Sequence, residues 1–200
     1  MMKVMLWRRR KRKPQTHVVF IHIQKTAGYA IGRALRNSGH LKHGYGFSHD
    51  FGKKIALQDR KNIIMAVVRN PYDRVYSIFS YFHQPKEPQL TFEDFVMRYE
   101  KDYLPTHNRY HPCFDFMEED GKILTTDILR FERLQEDFRA FCMKYGIPNN
   151  LTKMNVNRKK EHPQKTTLFT PTMREVVERV FAKDFEHFGY SFQQWMQSPW

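Results

Sequence analysis

The chain has 200 residues, 40% of them hydrophobic and 28% charged, with a formal net charge of +13. This is enough for one domain with a core of its own, and the composition is ordinary for a soluble protein. No apolar run approaches the length of a membrane helix.

Seven of the positive charges (Lys3, Arg8, Arg9, Arg10, Lys11, Arg12, Lys13) crowd into the first thirteen residues without an acid among them, so the body carries only +6. The expectation is a flexible basic leader over 1–15, followed by a single domain over 16–200. Such a leader could serve as a nuclear address, a nucleic-acid arm or a membrane-surface patch, and those partners are expected only through it. The stretch 1–7 is too short and too interrupted for a signal peptide, and its charges follow the apolar residues. A soluble, cytoplasmic protein is the resulting expectation.

Val18 to Ile23 is an apolar run of strand type that stops at Gln24-Lys25-Thr26-Ala27-Gly28, and a helix-compatible stretch from Tyr29 to Ser38 follows. A strand feeding a short turn and a helix N-terminus makes a concave nest of backbone N–H groups, suited to a phosphate. Lys25 adds a mobile point charge, and Gly28 lets the backbone approach an anion closely. Gln24, Lys25, Thr26, Ala27, Gly28, Tyr29 and Ala30 are therefore candidate anion-binding residues. The spacing is not that of a Walker A loop.

A second buried-type strand, Ile63 to Val68, ends in Arg69-Asn70-Pro71. Asn70 is a good N-cap and Pro71 suits a first helical turn, so a helix is expected from Tyr72 to Phe82. Arg69 at the strand end and Ser77 two turns into the helix would converge as a second phosphate pocket. Thr91 should cap a further helix to about Lys101. Leu104 to Glu119 reads as an irregular substrate-side loop, Asp127 to Phe131 as a strand, and Leu134 to Tyr145 as a helix stopped by Gly146 and Pro148. A long loop, Asn149 to Thr170, leads to a last helix opened by Pro171 and running to about Phe185. The pattern is α/β, with a parallel sheet and flanking helices. Cys113 and Cys142, without C-x-x-C pairing, suggest reduced thiols, with one disulfide as the alternative.

Together, the two strand-to-helix motifs resemble the signature pair of sulfotransferases that use 3′-phosphoadenosine 5′-phosphosulfate (PAPS). The closest wording is in heparan sulfate 2-O- and 6-O-sulfotransferases and their bacterial and viral relatives. His22-Ile23-Gln24-Lys25-Thr26 is especially like the 6-O group, and weaker similarity runs through Ile128-Leu129-Arg130-Phe131-Glu132 to Asp184–Tyr190. The resemblance implies a P-loop-NTPase-like three-layer fold. It also implies a 5′-phosphosulfate loop at Gln24–Ala30 and a 3′-phosphate site at Arg69 and Ser77. A basic loop closing over the nucleotide would include Arg158 and Lys159. The loop departs from the common Lys-Thr-Gly-Gly-Thr-Ser wording: Ala27 replaces a glycine, and Tyr29 and Ala30 replace the two hydroxyl residues Thr and Ser.

The same resemblance implies sulfuryl transfer to a hydroxyl acceptor, expected to be a saccharide, with the 3′,5′-bisphosphate (PAP) as the second product and no metal required. Lys25 would stabilise the leaving phosphate. The family's catalytic histidine lies between the two motifs, which matches His49, with Asp50 either to orient it or to cap the next helix and His43 in reserve. A metal reading of His40, His43 and His49 lacks cysteine or tight carboxylate partners. Two alternatives from the residues stay open: a nucleotide-dependent P-loop kinase, and a basic nucleic-acid-binding protein without a recognisable module.

Overall fold

The computed structural model describes residues 17–41, 62–152 and 163–198. In chain order its first elements are β1 (Val18–Ile21), α1 (Gly28–Asn37), β2 (Ile63–Val68), α2 (Pro71–Ile78) and α3 (Phe92–Met97). After these come a hairpin of β3 (Glu118–Glu119) and β4 (Lys122–Ile123), then β5 (Asp127–Arg130) and α4 (Leu134–Tyr145). The chain continues through α5 (Lys165–Leu168), α6 (Pro171–Val180), α7 (Ala182–Phe188) and α8 (Phe192–Gln197). The expected basic leader lies outside the described residues.

The central sheet is parallel, in the order β1-β2-β5, with Ile21 opposite Ala66 and Val68 opposite Arg130. Alternate side chains go to opposite faces, and both faces are covered, so β1 and β2 read as unbroken apolar runs. Val18, Phe20, Met65, Val67 and Leu129 pack with Ile31 and Leu35 of α1 and with Phe138 and Phe141 of α4. Val19, Ile21, Ile64, Ala66 and Val68 pack against Cys113, Phe114, Phe116 and Met117, and against Phe188 and Tyr190. The result is a mixed α/β fold with a three-stranded parallel sheet between helical layers. Both cysteines are free and buried, and no helix among the described residues is long and apolar enough to cross a membrane.

A third, strongly aromatic core joins α2, α3, α6 and α8 around Tyr72, Phe95, Tyr99, Phe181 and Trp195. Trp195 finds a partner for its indole N–H in the buried Asp73 carboxylate, 2.6 Å away. Around this core the observed elements depart from the sequence pattern. The helix expected to run from Pro171 to Phe185 is broken at Phe181, which has φ −103° and ψ 23°. Phe181 packs in the aromatic core, whereas Phe188 packs on the sheet side and Asp184 accepts the Cys113 and Phe114 N–H groups. The helices after Arg69 and Thr91 each pass into a π-helical turn, at Phe79–His83 and Tyr99–Tyr103. The hairpin, α5 and α8 were not anticipated from the pattern.

Candidate functional site

Both strand-to-helix loops lie side by side at the carboxyl end of the sheet, because β1 and β2 are parallel neighbours. In open α/β sheets this end is where ligands bind. The first loop is conformationally unusual: Lys25 and Ala27 both adopt left-handed backbone, each at φ 65°, although neither is glycine. Each such residue costs on the order of 1–3 kcal/mol, a cost tolerated mainly where the loop shape has a use. Alternation of left- and right-handed residues turns successive N–H groups inward, the geometry of an anion nest. Ala27 sits at the N-cap of α1 and offers no side-chain cap to the first helical N–H groups.

The individual residues of this loop have distinct tasks. Thr26 is buried, and its hydroxyl donates to the Ile23 carbonyl at 2.8 Å, which fixes the turn from inside. Gly28 has a stricter reason to be glycine than the approach of an anion. A Cβ there would lie 1.6 Å from Cδ2 of His22, whose buried ring is stacked over Phe20. His22 is thus part of the wall behind the loop. Gln24 is half-buried, Tyr29 is exposed and Ala30 closes a turn by donating its N–H to the Ala27 carbonyl at 3.0 Å. The Lys25 ammonium lies 3.8 Å from the centroid of the Tyr81 ring, in the π-helical turn beyond α2.

The second motif reaches across to the first. Nη1 of Arg69 donates to the Lys25 carbonyl at 3.2 Å, and the guanidinium lies 4.0 Å over the Phe131 ring, just past β5. Burial holds Arg69 below the usual arginine range, opposed by the charges of Asp73 and Glu132. Its Nε is buried without a hydrogen-bond partner. Asn70 caps α2, accepting the Tyr72 N–H at 3.1 Å, while its own N–H donates to Glu132 at 2.7 Å. The other Glu132 oxygen accepts the Tyr190 hydroxyl at 3.1 Å. Ser77 is half-buried in the last turn of α2, six residues after Pro71 and so roughly 9 Å farther along the helix axis. Beside Asn70 opens a groove of about 520 Å³, lined by Arg130, Glu132, Phe188 and Tyr190 among others.

Several participants escaped the sequence reading. Arg74, one turn into α2, is fully buried and donates to three backbone carbonyls, those of Gln24, His111 and Arg109. Arg109 lies 4.1 Å over the Phe82 ring, next to Tyr81. Glu132 lies two residues past β5, and an acid near a strand end beside a second motif was the available signal for it. The contacts of Arg74 and Arg109 depend on distant segments and left none. His40 belongs elsewhere: its carbonyl accepts the Val18 N–H at 2.8 Å, at the amino end of β1 and so the far end of the sheet. His43, His49, Asp50, Arg158 and Lys159 lie outside the described residues. Among the described residues no group of three or more His, Cys, Asp or Glu side chains is placed to hold a metal ion.

The arrangement can bind an anion at the nest, neutralise it with Lys25, and present the Arg69 guanidinium to a second anionic group one strand away. Comparison with family models, with characterised proteins and with solved structures gave no match.

Proposed function

We propose that the protein is a PAPS-dependent sulfotransferase with a P-loop-like nucleotide site, acting on a hydroxyl acceptor, a saccharide in the reading favoured by the sequence resemblance. The observation that carries the proposal is the bond from Arg69 to the Lys25 carbonyl. It ties the two motifs into one rim, so that a ligand with two separate phosphate groups can meet both at once. A ligand with a single phosphate chain would need only the first loop.

The donor would supply a sulfuryl group on a phosphate leaving group, and in-line displacement would form the acceptor O–S bond as the bridging S–O bond breaks. Lys25 would meet the charge growing on the departing phosphate, with N–H groups of the nest already oriented. Arg69 and Ser77 would hold the 3′-phosphate. His49 would take the proton of the acceptor hydroxyl, with His43 as the competing base. Arg158 and Lys159 would cover the nucleotide.

Isothermal titration with PAP, ATP and duplex DNA separates this reading from the kinase and nucleic-acid readings. Tight binding of PAP alone is expected. Preference for ATP or DNA would overturn the proposal.

A further inference from the structure

Arg74 does something that packing alone does not require. It is 0% exposed, and its charged group is met by the carbonyls of Gln24 (3.2 Å from Nε), His111 (2.6 Å from Nη1) and Arg109 (3.0 Å from Nη2). Burying a guanidinium is expensive, and a well-packed apolar residue serves stability as well or better. Its bonds go to two irregular segments. One of them, Arg109 to Phe114, is gripped from its other end by the buried Asp184, which accepts the Cys113 and Phe114 N–H groups at 2.8 Å each.

The consequence lies in the peptide planes. In a trans peptide the C=O and N–H point in opposite directions. A carbonyl of Gln24 held toward Arg74 turns the N–H of Lys25 the other way. Likewise, the Lys25 carbonyl held by Arg69 turns the N–H of Thr26 away from Arg69. The two arginines of one helix-opening segment therefore orient two consecutive peptides of the neighbouring loop, on either side of the left-handed Lys25.

We propose that Arg74 is a positioning residue that sets the anion nest by holding the Gln24–Lys25 peptide and locking it to the Arg109–His111 segment. This rests on the nucleotide-site reading for its purpose, but the backbone effect stands apart from the ligand's identity. Lysine at this position keeps the charge yet cannot fork to three carbonyls.

The test is R74K, compared with wild type by far-UV circular dichroism, by the Cα and Cβ chemical shifts of Lys25, and by PAP titration. A folded R74K should lose the left-handed shift signature at Lys25 and bind PAP at least tenfold more weakly. The Lys25 shifts and the PAP affinity should change while the circular dichroism stays as in wild type, which a general loss of stability does not produce. Unchanged Lys25 shifts and unchanged PAP affinity in folded R74K overturn the proposal. If R74K does not fold, wild type decides through the hydrogen-bond scalar coupling from Arg74 Nε to the Gln24 carbonyl carbon. That coupling is expected with and without PAP, and its absence in the free protein rejects the role. Should wild type fail to bind PAP, the functional reading falls, while the Lys25 shifts still judge Arg74.

Discussion

Replacing Gly28 with alanine sets a methyl group 1.6 Å from Cδ2 and 2.0 Å from Nε2 of His22. At the first position of a helix, Gly→Ala ordinarily gains up to about 1 kcal/mol from propensity. Here the obstacle is a ring buried beneath the loop and stacked 5.9 Å over Phe20, so it has no room to swing. Overpacking of this kind costs roughly 1–3 kcal/mol and sometimes more, and an overlap this deep belongs at the upper end. A net loss of about 2–3 kcal/mol corresponds to a fall in melting temperature of roughly 4–12 °C for a chain of this size. Urea denaturation of wild type, G28A, H22A and the double variant forms a cycle that isolates the contact. In the H22A background the added methyl enters the space left by the ring, so G28A should be neutral or stabilising there. The coupling should approach about 3 kcal/mol, the upper end for residues in contact. Equal destabilisation by G28A in both backgrounds, or a gain in wild type, would show that His22 is not the obstacle.

Asp184, buried and raised to about 6 mainly by desolvation, holds its proton in the folded state at pH values where the unfolded chain has lost it. Its sign is therefore a loss of stability as pH rises from about 4 to 6, by roughly 3 kcal/mol at 1.36 kcal/mol per unit, then a plateau. D184N should remove that component, seen as a difference between the two urea midpoint-versus-pH curves; superimposable slopes would exclude it. K25A should abolish transfer while the fold persists, at a cost of about 2.7–4 kcal/mol in transition-state stabilisation, and wild-type turnover in the purified variant would remove Lys25 from the mechanism. R69A should weaken PAP binding on the order of tenfold or more, from charge-assisted bonds contributing roughly 1.5–3 kcal/mol. Equal wild-type affinity for PAP and for a nucleotide lacking the 3′-phosphate would show that the pocket is misassigned. H49A should lower turnover by about 10²–10⁴-fold, with wild-type rate falling below a pKa near 6.5; loss in H43A instead would move the base to His43.

Strands β1 and β2 were legible because they are buried on both faces and so spell continuous apolar runs. The caps were equally plain: Asn70 accepts from Tyr72, Thr91 accepts from Asp94, and α4 stops at Gly146 with φ 65°. Two missed elements did carry local signals. Asp120-Gly121, at φ 50° and 77°, is a hairpin turn of the Asp-Gly type, and Ser191 accepts the Gln194 N–H as a helix cap should. The break at Phe181 carried none, since Pro, Gly and the usual cap residues are all absent there. In the site, residue types announced the loop and Arg69. The left-handed turns at Lys25 and Ala27 were not announced, because neither is glycine, and the peptides on either side of Lys25 are held by Arg74 and Arg69, far away in sequence. Arg74 was invisible for the same reason: its acceptors are main-chain carbonyls, which every residue has.

Whether the two strand-end motifs form one nucleotide site is decided by amide chemical-shift titration with PAP. The amides of Lys25, Thr26 and Gly28 should shift together with those of Asn70 and Ser77. All should follow one dissociation constant, and ATP should give a weaker response. Movement confined to one motif, two unrelated constants, or an equal response to ATP would contradict a shared site.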